Sequence, residues 1–228
     1  MRRLAERRSA ALLREPIARA PRHGCRRASA AAALALVAHA SLFDAHAAEK
    51  PNVGWIDRAT LDSGTVQVIA ERGDRPLTVA VKVAIKVAAS PQAIWDVLKA
   101  CQIAPEYVPN VVSCRSLEKV DEGRSELFVQ TVKPAFFLPT FEHVFRLDYE
   151  PYEHIGVHRV SGPLARMDGD WWLLPRDDGA ILLVYELAVD PGLPVPRFFV
   201  RATMKRDIPK ILTAVRERAE RAAAAARP

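Results

Sequence analysis

The stretch LTVAVKVAIKVAASPQAIWDVL, residues 77–98, contains the change of periodicity that decides the fold. In its first half, valine and isoleucine occupy every second position with alanine or lysine between them, which predicts a half-buried strand over 77–88. Ser90 and Pro91 then supply a helix N-cap and a first-turn proline, followed by apolar residues at helical spacing. The folded domain is therefore predicted to contain a strand that passes directly into a short amphipathic helix.

Six further strands are predicted downstream, because alternating apolar runs are separated by turn residues such as DEG at 121–123. A second short helix near residues 104–107 precedes them and ends at Pro109. Upstream, residues 65–70 can form one more strand. The six downstream strands are predicted at residues 111–120, 125–133, 140–149, 154–161, 165–174 and 180–189.

The periodicity changes once more after the segment DPGLPVP, residues 190–196. Beyond it, apolar residues recur at helical spacing with charged residues opposite them, which predicts a long C-terminal helix. Pro209 is expected to kink or break this helix, because proline has no amide hydrogen. Residues 222–228 are expected to fray. The apolar face consists of Met204, Ile208, Ile211, Leu212, Val215 and Ala219.

This order of elements resembles the helix-grip fold of the START-like, or SRPBCC, superfamily. SPQAIWDVL at residues 90–98 resembles the first helix of that family, and MDGDWWLLP at residues 167–175 resembles one of its strands. The resemblance covers about residues 78–220 and is closest to the branch of polyketide cyclases, dehydrases and coenzyme-Q-binding proteins. It implies an α+β helix-grip fold, in which a curved antiparallel sheet wraps around the long C-terminal helix and two short helices follow the first strand.

Residues 1–47 differ from the rest of the chain and have the pattern of a secretory signal peptide. Nine arginines precede an apolar run at residues 28–43, and AHA at 45–47 is a small-x-small cleavage site. A periplasmic or secreted protein is therefore expected, although an arginine-rich, alanine-rich leader also fits an organellar transit peptide. Behind the leader we expect an N-terminal extension or hairpin at 48–76, the START-like domain at 77–221, and the frayed tail.

The positive net charge of the chain belongs to this leader. The chain has 33 Lys plus Arg and 27 Asp plus Glu, and residues 1–47 hold nine of the former and three of the latter, so 24 of each remain. A formally neutral domain gives no electrostatic reason to expect nucleic acid as a partner. The length beyond the leader suits one domain, and we expect a monomer that binds a hydrophobic small molecule or lipid and contacts membranes transiently.

Three predicted strands place aromatic residues in phase on one face. Such a face forms an ordinary aromatic core or lines a cavity for an apolar ligand. The family resemblance implies the cavity, with a quinone, fatty acid or isoprenoid as ligand. Arg159 interrupts an apolar pattern, so it is expected at the rim or paired with a ligand head group. The residues expected at this cavity are Phe141, His143, Phe145, Tyr149, Arg159, Trp171, Tyr185, Phe199 and Met204.

The segment that joins the last strand to the long helix is expected to overhang the open end of the sheet. Its apolar residues Leu193, Val195 and Phe198 are predicted to gate the cavity or to touch a membrane during ligand exchange. The alternative is that Phe198 and Phe199 form the first helical turn and pack on the core.

Two cysteines, Cys101 and Cys114, remain beyond the leader. An oxidising compartment favours a disulfide between them, and the alternative is two buried thiols. Neither cysteine belongs to a CxxC or HxxxH pairing, so no metal site is predicted, and no cofactor is expected.

The sequence contains no GxSxG, Walker, HExxH or GxGxxG motif, so no catalytic residue is assigned. The family resemblance leaves one enzyme class open, a cyclase or dehydratase, because such a site needs no local motif. Export argues against that class, since it would separate the protein from cytoplasmic, carrier-bound polyketides. A third alternative is an interaction module with a filled core.

Overall fold

The computed structural model describes residues 49–134, 138–192 and 195–226. The predicted signal peptide and the predicted gate residue Leu193 lie outside these residues. The described helices are α1 (Arg58–Asp62), α2 (Pro91–Lys99) and α3 (Arg197–Ala225), with short 3-10 turns at Cys101–Glu106 and Asp121–Gly123. The strands are β1 (Gln67–Arg72), β2 (Val79–Val87), β3 (Val111–Val120), β4 (Ser125–Val132), β5 (Phe141–Glu150), β6 (His154–Ser161), β7 (Arg166–Pro175) and β8 (Ile181–Asp190).

The passage from β2 into α2 follows the predicted local chemistry. On β2, Val83 and Ile85 are completely buried, whereas Lys82 and Lys86 remain half-buried on the other face. At the start of α2, the Ser90 hydroxyl accepts a hydrogen bond from the Ala93 amide at 3.2 Å, and a proline occupies the first turn. This N-cap satisfies an amide that would otherwise lack a partner and fixes where the chain leaves the sheet.

The eight strands form one antiparallel sheet in the order β1-β2-β8-β7-β6-β5-β4-β3. Consecutive strands from β3 to β8 are neighbours. Strand β8 also pairs with β2 over nine residue pairs, from Val79–Val189 to Val87–Ile181. The β3–β4 and β5–β6 pairings contain register shifts. Such irregularities bend and twist a sheet. The sheet is curved and open, which confirms the predicted α+β helix-grip fold.

Helix α3 lies over the inner face of the sheet and contacts β2, β1 and α2 most closely. The apolar residues predicted for its inner face are buried, apart from Ile211, which is half-buried. The helix does not break at Pro209, and it extends to Ala225. The carbonyl of Lys205, which loses its usual amide partner at Pro209, belongs to an exposed residue, so water can satisfy it.

The outer face of the sheet has a small apolar cluster that the sequence analysis did not predict. The side chain of Leu61 from α1 is buried there against Trp172, Leu182 and Val184. The predicted N-terminal extension therefore supplies both this cover and strand β1, which pairs with β2 as a hairpin. No helix among the described residues is long and apolar enough to cross a membrane.

Candidate functional site

A cavity of about 230 Å³ lies between α3, the 3-10 turn after α2 and the inner face of the sheet. Helix α3 contributes Ile208 and Ile211 to its wall. Because α3 leans toward β2, β1 and α2, its side chains do not fill the space above the central strands. Of the residues predicted for the cavity, four line it: His143, Phe145, Trp171 and Tyr185.

A second cavity of about 220 Å³ continues toward the start of α3. Three other predicted residues, Phe141, Phe199 and Met204, line this cavity. Two of them lie close to residues of the first cavity: Phe141 precedes His143 by two residues on β5, and Met204 precedes Ile208 by one helical turn on α3. The predicted residues are thus divided between two adjacent apolar spaces that together extend along the inner face.

Tyr149 and Arg159, also predicted for the cavity, line neither space among the described residues. The ring of Tyr149 packs against Trp95 of α2 with centroids 5.6 Å apart, and its hydroxyl donates to Glu126 at 3.3 Å. Arg159 sits opposite Phe145 at the register shift, where its guanidinium donates to the Gly162 carbonyl at 2.8 Å. Tyr149 is therefore a core residue under α2, and Arg159 is hydrogen-bonded to the turn at Gly162.

Stacked rings form the cavity wall on β5, β7 and β8. Trp171 and Tyr185 stack with centroids 3.8 Å apart and planes at 12°. His143 stacks on Phe145 at 5.4 Å. Burial raises the pKa of the Tyr185 hydroxyl, so this group stays protonated and uncharged at neutral pH. The wall is therefore aromatic, uncharged and mainly apolar.

His143 provides a deeply buried polar group of this wall. Its side chain is 5% exposed, and its Nε2 lies 3.0 Å from the Gln130 amide oxygen. Because that oxygen can only accept, Nε2 carries the proton, and Nδ1 is left as an acceptor. Nδ1 is buried and has no hydrogen-bond partner. Burial lowers the pKa of His143 to about 4, so the ring is neutral at physiological pH.

Gly162 closes the turn that covers this histidine. Its φ is +117°, and a Cβ at this position would lie 2.6 Å from the Cβ of His143. Only glycine combines that backbone conformation with so close an approach. The turn thereby restrains the His143 ring against β4 and the cavity.

No charged side chain lines either cavity within the described part of the chain. Two cations near the first cavity lie over aromatic rings, and of these two rings only that of Tyr107 lines the cavity. Lys99 lies over the Tyr149 ring at 4.4 Å, and Arg218 lies over the Tyr107 ring at 4.8 Å and pairs with Glu106 at 2.9 Å. Both cavities therefore suit an uncharged, mainly hydrocarbon molecule.

Strand β4 forms one side of the cavity, and its lining residues were not predicted from the sequence. Phe128 and Gln130 line it and face His143 and Phe145 across the β4–β5 pairing. Alternation along β4 was the available signal, since it places Gln130 on the same face as the buried Phe128.

The disulfide between Cys101 and Cys114 is formed, with 5.4 Å between the Cα atoms. Both cysteines line the first cavity. The bond joins the 3-10 turn at the end of α2 to edge strand β3. It therefore holds one wall of the cavity against the sheet.

We expect no free thiol in unfolded, non-reduced protein that begins at residue 48. Reduction should lower the free energy of unfolding by about 3 kcal/mol, because it releases a short cross-linked loop in the unfolded chain. Thiol titration in denaturant and chemical denaturation with and without reductant measure the two effects. Two reactive thiols in the non-reduced sample would contradict the disulfide.

The two predicted gate residues in the described chain, Val195 and Phe198, differ in position. Val195 lines the second cavity, next to the predicted cavity residue Phe199. Phe198 is 76% exposed and lies beside Arg197 and Arg201 on the outer surface. Phe198 therefore does not pack on the core, which excludes that alternative for this residue.

Within the described residues, no group of three or more His, Cys, Asp or Glu side chains is placed to hold a metal ion.

The sheet, the gripping helix and the cavity between them define a START-like protein. The chain belongs to the family described as polyketide cyclase / dehydrase and lipid transport, whose family model matches residues 87–216. No curated protein matches the chain in sequence.

Solved structures share the fold at low sequence identity. The Zhui aromatase/cyclase from Streptomyces sp. R1128 is 19% identical with a TM-score of 0.55, over 65% of this chain and 98% of that one. A STAR-related lipid transfer protein from Xanthomonas axonopodis is 16% identical with a TM-score of 0.60, over 68% and 93%. Human STARD10 is 16% identical with a TM-score of 0.58, over 68% and 69%. The similarity extends to proteins named for cyclisation and for lipid transfer, and at these identities it establishes the fold alone.

Proposed function

We propose that this protein is a carrier that binds one hydrophobic small molecule or lipid between α3 and the sheet. The observation that carries the proposal is the apolar cavity between Ile211 and the aromatic wall, which no charged side chain lines among the described residues. Burying hydrocarbon in such a space is favourable, whereas burying an unpaired charge there is costly. Lipid transport in the family description and lipid transfer in the name of the Xanthomonas protein support the same function.

Titration with the uncharged fluorescent probe N-phenyl-1-naphthylamine tests this proposal. We expect saturable binding of one probe per protein, and displacement of the probe by long-chain hydrocarbon molecules. A probe that does not bind, or that binds without saturation, would overturn the proposal.

A cyclase or dehydratase is the second candidate, because His143 and Tyr185 place two uncharged polar groups in the cavity wall and the Zhui protein is named an aromatase/cyclase. The depressed pKa of His143 favours the carrier, since a general base works best with a pKa near the working pH. A ligand extracted after prolonged incubation should therefore have an unchanged mass. Loss of water from the bound molecule would favour the enzyme.

A cavity of about 230 Å³ does not fit the third alternative, an interaction module with a filled core.

The start of α3 is proposed as the route of ligand exchange. Val195 lines the second cavity at its junction with the surface, and the exposed Phe198 is suited to contact a lipid surface beside two arginines. Phe198→Ser tests the membrane contact, because it should slow uptake from vesicles without slowing uptake from solution. An unchanged rate from vesicles would remove the membrane contact from the proposal.

Val195→Ser is expected to change the rate of probe uptake several-fold while costing no more than about 1 kcal/mol of stability. The reason is that the side chain lines the route and contributes little to the core. Stopped-flow fluorescence measures the rate. The matched control is Val160→Ser, at a half-exposed valine that lines neither cavity. A Val195→Ser protein with parental stability and parental uptake rate would eliminate the gate.

Export through a cleaved leader is also part of the proposal. The basic and apolar pattern of residues 1–47 supports it, as does the disulfide, since disulfides persist in oxidising compartments. Expressed in a bacterium, the protein should have the mass of residues 48–228 and occur in the extracytoplasmic fraction. Full-length protein in the cytosol would contradict export and strengthen the enzyme alternative.

A further inference from the structure

The start of α3 and the turn between β1 and β2, residues 73–78, lie side by side at one end of the domain. The guanidinium of Arg197 donates to the carbonyl of Pro76 at 2.8 Å and joins the two segments. A cleft runs between them, and three arginines and one glutamate give it a net positive charge. The residues that line it are Glu71, Arg72, Val79, Arg197, Phe198 and Arg201.

The positive charge of this end of the domain is largely not neutralised by ion pairs among the described residues. The exposed cations are Arg72, Arg75, Arg201 and Lys205, and none of them is paired with a described carboxylate. Asp74, the acidic residue of the turn, is bound by Arg166 of β7 instead. Because residues 48–228 contain equal numbers of acidic and basic residues, the cations here reflect a local separation of charge.

Two large apolar side chains project among these cations. Phe198 is 76% exposed, and Leu77 of the turn is 51% exposed. Phe198, Arg201 and Lys205 lie on one face of α3 by helical spacing. Apolar side chains among cations match a membrane interface, where the former enter the acyl boundary and the latter contact anionic head groups. A nucleic acid or an acidic protein surface would match the cations and leave Leu77 and Phe198 in water.

We propose that this basic-apolar surface, formed by Arg72, Arg75, Leu77, Phe198, Arg201 and Lys205, docks the protein on a membrane that contains anionic phospholipids. The inference rests on the proposed carrier function and names the chemistry of the membrane with which the carrier exchanges its ligand. It also adds the β1–β2 turn to the contact. Docking in this orientation brings the second cavity to the bilayer, since Val195 and Val200 beside Phe198 line that cavity.

Sedimentation with vesicles tests the surface. The vesicles contain either phosphatidylcholine alone or equal parts of phosphatidylcholine and phosphatidylglycerol. We expect binding to the anionic vesicles, and binding should weaken strongly between about 0.1 M and about 1 M salt, because salt screens exposed charges. Arg72→Gln/Arg201→Gln should weaken binding to the anionic vesicles about 25-fold, at about fivefold for each arginine.

Arg115→Gln/Lys119→Gln is the matched control. Both residues are exposed on β3, at the opposite edge of the sheet from β1, and the variant loses the same charge. It should bind anionic vesicles with parental affinity. The two double variants keep the parental N-terminus, so any contribution of residues 1–47 is equal in both. Both should bind N-phenyl-1-naphthylamine in solution as the parent does, which shows that the fold and the cavity are intact.

Leu77→Ser separates a membrane from an acidic macromolecule as the partner. It should weaken binding to the anionic vesicles several-fold while leaving the salt dependence unchanged, because the leucine contributes buried apolar area and no charge. If Leu77→Ser binds these vesicles with parental affinity, the contact is purely electrostatic, as an acidic macromolecule would make it, and the membrane proposal is overturned.

The remaining outcomes distinguish this inference from the proposed function. Equal binding to neutral and anionic vesicles, or the same loss in both double variants, would overturn the docking surface and leave the carrier function standing. Binding to anionic vesicles by a protein that does not bind the fluorescent probe would support the surface and overturn the carrier function.

Discussion

Ile211→Trp should weaken binding of N-phenyl-1-naphthylamine about a hundredfold, which corresponds to about 3 kcal/mol of binding free energy. Ile211 projects from the middle of α3 into the first cavity and is only half-buried. An indole at this position takes up the space that the ligand needs and adds apolar contacts to the aromatic wall. We therefore expect the variant to fold with near-parental stability while losing its ligand. Fluorescence titration and thermal denaturation measure the two quantities.

Glu217→Trp is the control for this variant, because it adds the same side chain to the same helix at an exposed position. Its probe affinity should equal that of the parent. If Ile211→Trp is folded and binds the probe with parental affinity, the ligand does not occupy the space between α3 and the sheet.

Leu212→Ala, at the next residue, should have the opposite effect: it should lower stability and leave ligand binding intact. Leu212 is completely buried and belongs to the core cluster between α3 and the sheet, and it lines neither cavity among the described residues. Truncating a fully buried leucine removes transfer free energy and leaves a void, so we expect a loss of about 2–5 kcal/mol. For a domain of this size each kcal/mol lowers Tm by about 2–4 °C. Chemical and thermal denaturation measure the loss.

Lys205→Ala is the corresponding control, since Lys205 is exposed on the same helix. A surface substitution of this kind should change stability by no more than about 0.5 kcal/mol. If Leu212→Ala is as stable as Lys205→Ala, then Leu212 does not pack between α3 and the sheet as described.

Most of the fold could be predicted because strands such as β2 and β5 alternate clearly and turn residues separate the strands from β3 to β8. Helix α1 was missed, since five residues are too short to show a helical period. An indication that something covers the outer face was present in β8, because Leu182 and Val184 are apolar on the face expected to be exposed to solvent. Two buried residues on that face require a cover, and Leu61 provides it.

The candidate site could be predicted only in part, because alternation identifies a face of the sheet and not a position along it. Tyr149 shares its face with His143 and Phe145 but lies near the end of β5, under α2. Arg159 pairs with the cavity residue Phe145, but its guanidinium is bound to the Gly162 carbonyl, a contact that no sequence period indicates. The position of α3 over β2, β1 and α2 is a matter of tertiary packing, which no sequence period indicates.

Gln130 was not predicted as a cavity residue for a different reason. A polar residue in a strand is ordinarily assigned to the solvent-exposed face. Here it lies on the inner face because it bonds His143 across the β4–β5 pair. Buried polar pairs of this kind are visible only once the register of two strands is known.

Native mass spectrometry of the purified protein tests most directly whether the cavity holds a ligand. We predict that the parent protein carries the extra mass of one small hydrophobic molecule, which is lost under denaturing conditions, and that Ile211→Trp carries none. Bare masses for both proteins, persisting after incubation with 1-dodecanol and with N-phenyl-1-naphthylamine, would contradict it.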